Sequence, residues 1–362
     1  MSFASLLDSL PVPILQAPMA GASSEAMAVA VSRAGGMGGL AAATVAPADM
    51  AAAVDGVRSQ TDAPFAVNLQ MAPPARPEPS EVEAALARLA PWYAALGAPL
   101  PAAPNSFSHD FEAQLDALTR AAPPVATFIF SVLTRGQVDA LHAAGSYVVG
   151  TANTVAEARA WADVGADGIC AQGFEAGGHH GYFLGDIEAS SVGTMALVAT
   201  VLEAVDLPVI AAGGVMDGRG VAAALALGAS AVQMGSAFLL SDEATNGPTW
   251  QAALRDAPDD ATRLTRAFSG RYARGLENRF IREMRSVQEN VPAYPVQNRL
   301  TQPLRAAANQ AGDPEMMSLW AGQAVTLARP GGAGEMVKLW WAQAQDTARA
   351  LAERTAPRPP KP

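Results

Sequence analysis

Val209-Ile210-Ala211-Ala212-Gly213-Gly214 is followed by a helical stretch from Gly218 to Leu227, a glycine at Gly228, and a second apolar run, Ala231-Val232-Gln233-Met234-Gly235-Ser236. A short apolar run, a glycine turn, an Ala-rich helix and another short run make a βαβ unit with parallel, buried strands. Outward from this unit the same phrase recurs along the chain. Candidate strands lie at 14–17, 37–41, 65–69, 125–130, 147–150, 168–171, 209–212 and 231–234. Helical patterns at 24–34, 47–59, 135–144, 155–164, 193–205 and 218–227 separate most of them, and several end in glycine, the residue that closes a helix in the left-handed conformation. Eight strands in this rhythm predict an α/β fold, a (β/α)8 TIM barrel.

Two segments break the rhythm. The Pro- and Ala-rich stretch 72–124 separates the third and fourth strands and reads as an insertion with helices near 81–96 and 111–120. After the eighth strand, polarity and arginines concentrate (Arg263, Arg266, Arg271, Arg274, Arg279, Arg282). The expected organisation is therefore a barrel over 1–240, a mostly helical substrate-binding cap over 241–312, C-terminal helices returning to the barrel over 313–353, and a disordered tail over 354–362.

The bulk properties exclude several functions. Half of the 362 residues are hydrophobic, enough for a large core, and the net charge of −10 disfavours nucleic acid as a partner. No apolar run reaches the roughly 18 residues of a membrane span, and the first ten residues lack the basic start of a secretory signal. One cysteine, Cys170, forbids an internal disulfide, which points to the cytoplasm, and no Cys/His cluster has metal-ligand spacing.

Barrel enzymes carry their chemistry at the C-terminal strand ends. There this chain places Gln16-Ala17-Pro18-Met19, Asn68, Gln172 with the loop Gly173-Phe174-Glu175-Ala176-Gly177-Gly178-His179-His180-Gly181, Gly213-Gly214, and Gln233-Met234-Gly235-Ser236. Glycines after strands seven and eight let backbone N–H groups approach an anion, and a following helix N-terminus adds a favourable dipole; Ser236 can add a hydroxyl. Asn68 and Gln172 offer a donor and an acceptor each to a heterocycle edge. Among four histidines, His179 stands out: its glycine-rich loop lets a ligand come close, and imidazole can move a proton or steady an anion. His142 lies in a helical pattern and His109 in the insertion. Glu175 reads as a loop-capping carboxylate, and Cys170 as a core residue.

Together, Ala17-Pro18-Met19, Asn68, the run Glu175-Ala176-Gly177-Gly178-His179, Gly213-Gly214-Val215 with Asp217-Gly218-Arg219-Gly220, and Gln233-Met234-Gly235-Ser236 resemble the nitronate monooxygenases, formerly 2-nitropropane dioxygenases. The resemblance continues through Phe268-Ser269-Gly270-Arg271 and Leu319-Trp320-Ala321-Gly322-Gln323. It implies an FMN flavoprotein that oxidises alkyl nitronates such as propionate 3-nitronate with O2, releasing a carbonyl compound and nitrite, with detoxification as a role. It further implies His179 as the catalytic residue. Ala17, Pro18, Met19, Asn68, Gln172, Gly177, Gly178, Gly213, Gly214, Gln233, Met234, Gly235 and Ser236 would surround FMN, and His180, Tyr294 and Asn298 the substrate. The expected partners are the small-molecule substrate and O2, in a monomer or homodimer.

The cap departs from the Tyr, Tyr, Lys series of the well-studied bacterial branch: here the positions read Tyr294, Asn298 and Gln302. The alternative is a flavin-dependent NAD(P)H reductase, like an enoyl-[acyl-carrier-protein] reductase or an NADH:quinone reductase; Gly36-Met37-Gly38-Gly39 is no dinucleotide fingerprint.

Overall fold

In a computed structural model, which describes residues 2–356, eleven strands form among these residues: β1 (Ile14–Gln16), β2 (Gly38–Ala41), β3 (Phe65–Gln70), β4 (Val125–Ile129), β5 (Tyr147–Ala152), β6 (Gly168–Gln172), β7 (Gly178–His179), β8 (Val209–Ala212), β9 (Ala231–Met234), β10 (Thr262–Thr265) and β11 (Ala273–Leu276). Eight of them pair in parallel in the order β1-β9-β8-β6-β5-β4-β3-β2, and a bridge from Leu15 to Met37 closes the ring. The expected TIM barrel is present, with each expected strand in place. One boundary differs instructively: β4 stops at Ile129 because Phe130 has φ +87°, a conformation that a bulky residue cannot hold within a strand.

The insertion between β3 and β4 contains the helices Pro79–Ala95 and Phe111–Ala121. The region after β9 holds the helices Gly247–Arg255, Arg279–Met284 and Val296–Ala311, and also the antiparallel pair β10–β11, which extends to β7. The helix Ala333–Thr355 packs between Gly218–Ala226 and Glu25–Arg33. It completes the outer ring of helices, so residues 235–332 are spliced between the eighth barrel strand and its own helix. This helix includes the first two residues of the expected tail; residues 357–362 lie outside the described chain. No helix among the described residues is long and apolar enough to cross a membrane.

Close docking of the last helix rests on Gly218. A Cβ there would stand 2.3 Å from the Trp340 carbonyl oxygen and 2.5 Å from the Ala344 nitrogen. Because backbone must then move, Gly218→Ala should cost about 1–3 kcal/mol and lower the Tm. An unchanged melting curve would mean that the helix is not docked so tightly.

Candidate active site

Side chains alternate faces along a strand, and this period of two builds the site. Leu15, Ala66, Val125, Val149, Cys170 and Ile210 point inward and pack on Phe3, Leu7 and Leu10, which plug the bottom of the barrel. Two positions further along, Ala17, Asn68, Thr127, Thr151, Gln172 and Ala212 reach the top layer, joined there by Gln233, and form the floor of a cavity. The cavity has about 200 Å³, more than ten times what one water needs.

Ala17, Pro18, Met19, Asn68, Gln172, Gly177, Gly178, His179, Gly213, Gly214, Gln233, Gly235 and Ser236 all line this cavity. Met234, expected with them, is one residue out of phase with Gln233. It packs in the outer core at 1 % exposure, because the pleat turns it toward the helices. His180, Tyr294 and Asn298 also stand off the cavity wall, for reasons given below.

One end of the cavity suits an anion. Among the described residues, the backbone N–H groups of Gly213, Gly214, Gly235 and Ser236 donate to no protein group. Gly213 has φ +110°, and a Cβ on it would press within 3.0–3.2 Å of Thr194, Gly173 and Ala176. Only glycine holds this turn open. Ser236 Oγ accepts the Gly322 N–H at 2.8 Å, which leaves its own proton to donate. The helix after β8 does not add a free N-terminus as expected. The Asp217 carboxylate already accepts its Arg219 and Gly220 N–H groups, at 2.9 and 3.3 Å.

On the floor, the Asn68 amide donates to Thr127, and its Oδ1 has no protein partner among the described residues. Among the described residues the Gln233 amide makes no side-chain hydrogen bond either. Gln172 differs. Its Nε2 donates to the His179 carbonyl at 3.1 Å, and its Oε1 accepts the Gly181 N–H at 2.8 Å, so it anchors the histidine loop. Glu175 caps the helix Thr194–Leu202, accepting from the Thr194 N–H and hydroxyl.

His179 stands at the other end. It pairs with Ala273 across β7 and β11, so the cap sheet fixes its backbone. The ring sits among Phe130, Tyr294 and Trp320, with centroids 5.5–5.7 Å away. Its Nε2 is 2.8 Å from Ser269 Oγ, which is also 2.8 Å from the Arg271 carbonyl. A hydroxyl has one proton. If it goes to the carbonyl, Nε2–H must donate to Oγ and Nδ1 is left as a free acceptor; this tautomer is assigned from the network. Burial, with Arg271, Arg305 and His180 nearby, pushes the His179 pKa down to about 3. The ring is therefore neutral at ordinary pH.

Tyr294 reaches the site indirectly. Its ring packs against His179 and Phe130, and its hydroxyl donates to Gln70 Oε1 at 2.6 Å. Burial pushes its pKa up to about 12, so it is protonated. Asn298 Oδ1 accepts from Arg305 Nη2 at 2.9 Å. Gln302 is exposed and holds Arg299.

His180 is fully buried, edge-on to Phe174, and neither ring nitrogen has a hydrogen-bond partner among the described residues. Burial and Arg274 push its pKa down to about 3. An unfolded chain takes up this proton near the usual value of 6.5. Stability is therefore present above that value and is lost as pH falls from about 6.5 toward 3. His180→Leu should keep or raise the stability, and with it the Tm, at pH 7, relieving about 1–3 kcal/mol of desolvation. It should also lessen the loss of Tm on acidification to pH 5. Melting curves at the two pH values test this, and an equally steep loss in the variant would refute it.

Several further residues belong to this site. Thr127 and Thr151 follow from the parity of their strands. Ser269, Arg271 and Trp320 lie in the cap runs that carry the family resemblance, but nothing in the sequence assigned them a role. Phe130 and Arg305 carried no signal, because segments far apart in the chain bring them together. The Arg271 guanidinium lies 4.2 Å from the Phe130 ring centroid and 4.6 Å from that of Tyr182, and its Nε donates to the His180 carbonyl at 3.0 Å.

Comparison with known proteins agrees with this architecture. The model of the family described as nitronate monooxygenase matches residues 4–341. A probable nitronate monooxygenase of Staphylococcus aureus (strain Newman) is 39 % identical over 321 residues, covering 88 % of this chain and 90 % of the relative. The crystal structure of a nitroalkane oxidase from Streptomyces ansochromogenes superimposes with a TM-score of 0.88 at 42 % identity, covering 96 % of this chain and 99 % of that one. FabK from Thermotoga maritima gives a TM-score of 0.75 at 29 % identity, covering 97 % and 98 % of the two chains. The chain belongs to the nitronate monooxygenase family and is an enzyme of that type.

Proposed function

We propose that the protein is an FMN-dependent enzyme that oxidises alkyl nitronates with O2 to a carbonyl compound and nitrite. The observation that carries this reading is the two-ended cavity. Unpaired backbone N–H groups of the glycine turns lie at one end, and a neutral histidine in an aromatic cage lies at the other.

The residues fit FMN. Gly213, Gly214, Gly235 and Ser236 would hold its phosphate, and Asn68 Oδ1 and the Gln233 amide would meet the edge of its ring. When bound, FMN would supply the electron acceptor for the nitronate and the site of reaction with O2. The chain's own residues do the rest. Phe130, Tyr294 and Trp320 keep bulk water from His179. Ser269 holds the imidazole in one orientation, so that Nδ1 can accept a proton from the carbon of a neutral nitroalkane. A nitronate has already lost that proton, and needs only orientation and a compatible charge.

The resemblance to flavin-dependent NAD(P)H reductases gives the competing reading. Oxygen uptake and nitrite release decide between them, measured on the FMN-loaded protein with propionate 3-nitronate and no nicotinamide. Rapid uptake with nitrite supports the oxidation. No uptake, together with NADH consumption by the same preparation, would replace it with the reductase.

A further inference from the structure

Arg305 lies on the cap helix Val296–Ala311, and its guanidinium is tied down at every nitrogen. Nη2 donates to the Asn298 carbonyl and to Asn298 Oδ1, both at 2.9 Å; Nη1 donates to Ser318 Oγ at 3.3 Å and Nε to the Thr301 carbonyl at 3.4 Å. All of these partners are neutral. Among the described residues, no carboxylate comes within 4.0 Å of Arg305 or of Arg271. Both side chains are half-buried, and an arginine drawn partly out of water without a counter-charge loses hydration that neutral acceptors alone do not return.

The mounting is built with care. The Tyr93 hydroxyl donates to the Leu300 carbonyl at 2.7 Å and accepts the Leu304 N–H at 3.1 Å, the two groups that an unbroken helix would pair with each other. Pro303 interrupts the helix at this point. The insertion between β3 and β4 thereby holds the turn from which Arg305 projects. Geometry ties both arginines to the cage of His179, although neither lines the cavity itself. Arg305 holds Asn298, four residues after Tyr294, whose ring centroid is 5.6 Å from that of His179. Arg271 lies 4.2 Å from the centroid of Phe130, which is 5.7 Å from His179. In keeping with these positions, both charges lower the His179 pKa and favour ionisation of Tyr294. With His179 neutral, these arginines carry positive charge behind that end of the cavity.

We propose that Arg305, clamped by Asn298, is the specificity-determining residue that makes the site select an anion, a nitronate over its neutral nitroalkane, with Arg271 as a second cation. This deepens the proposed function and rests on it for the identity of the substrate. The charge selection itself is testable apart from turnover, with nitrate as a planar oxyanion that cannot react as a nitronate does. Asn298 is a positioning residue in this scheme: it touches Arg305, not the cavity.

The test compares wild type with Arg305→Met, Arg305→Lys and Asn298→Ala, all FMN-loaded and matched for flavin content. In Arg305→Met, kcat/KM for ethyl nitronate should fall about 10- to 100-fold, chiefly through KM, while that for neutral nitroethane changes less than about threefold. The calorimetric Kd for nitrate should rise at least about tenfold in the same variant. Arg305→Lys should recover most of both losses, and Asn298→Ala should lose part of the nitronate preference.

An unchanged nitronate-to-nitroalkane ratio with unchanged nitrate affinity in Arg305→Met would overturn the proposal. If that variant does not fold, Asn298→Ala and wild type still decide: no nitrate binding by wild type, or an unaltered substrate ratio in Asn298→Ala, would also overturn it. If wild type oxidises neither substrate yet binds nitrate through Arg305, the anion site stands and the proposed reaction falls.

Discussion

Replacing His179 with asparagine should leave FMN bound and remove most of the turnover, by roughly 10²- to 10⁴-fold for a neutral nitroalkane that must give up a proton. The flavin should stay because its expected phosphate contacts, at Gly213, Gly214, Gly235 and Ser236, lie at the other end of the cavity. Turnover should fall because Nδ1 is the ring's free acceptor, and asparagine cannot take a proton at this position. Nitronate oxidation should suffer less, since no proton has to move from carbon. The ring also predicts a pH profile. Its pKa is held down to about 3, so wild-type kcat/KM for a nitronate should show no inflection near the ordinary histidine value of 6.5. Stopped-flow reduction and flavin absorbance measure both points. Full activity in the asparagine variant would take His179 out of the reaction, and a clear inflection near 6.5 would contradict its buried, neutral state.

Gly235→Asp should release FMN while leaving the fold intact. A Cβ at Gly235 meets only the Ala17 methyl at 3.4 Å and the Met19 sulfur at 3.6 Å, both ordinary contacts. The added carboxylate would face the proposed phosphate. Like charges about 4 Å apart repel by roughly 4 kcal/mol at an effective dielectric of about 20, which is about a thousandfold in affinity. Gly235→Ala is the control: the same Cβ without the charge should bind FMN within a few-fold of wild type. Fluorescence titration of the flavin-free proteins gives both constants. An aspartate variant that holds FMN as tightly as wild type would move the phosphate away from the turn after β9.

The barrel was legible because its information is local. Each short apolar run, glycine turn and Ala-rich helix satisfies its own backbone, and repeating the unit eight times leaves a parallel ring as the way to bury every strand on both faces. The floor of the cavity was legible for the same reason: Ala17, Asn68, Gln172 and Gln233 sit at strand ends. The parity of each strand was also in the sequence, and it already excludes Met234 from the wall and admits Thr127 and Thr151.

The charge and chemistry of the substrate end were not local. His179 is held by Ala273 and Ser269 from the cap, and its cage joins Phe130, Tyr294 and Trp320 from three separate segments. His180, its neighbour in the chain, ends in the core instead, because successive residues of β7 and its continuation point to opposite sides. Asn298 holds a guanidinium rather than facing the cavity, because Arg305, seven residues on, comes back beside it two turns along the helix. By itself the sequence determined the barrel, its eight strands and the residues at the strand ends, since these follow from periods of two and 3.6 within short windows. The tertiary structure alone decided that the ring of His179 is neutral, that His180 beside it turns into the core, and where the positive charge lies, since burial and long-range pairing set these and no window of sequence contains them.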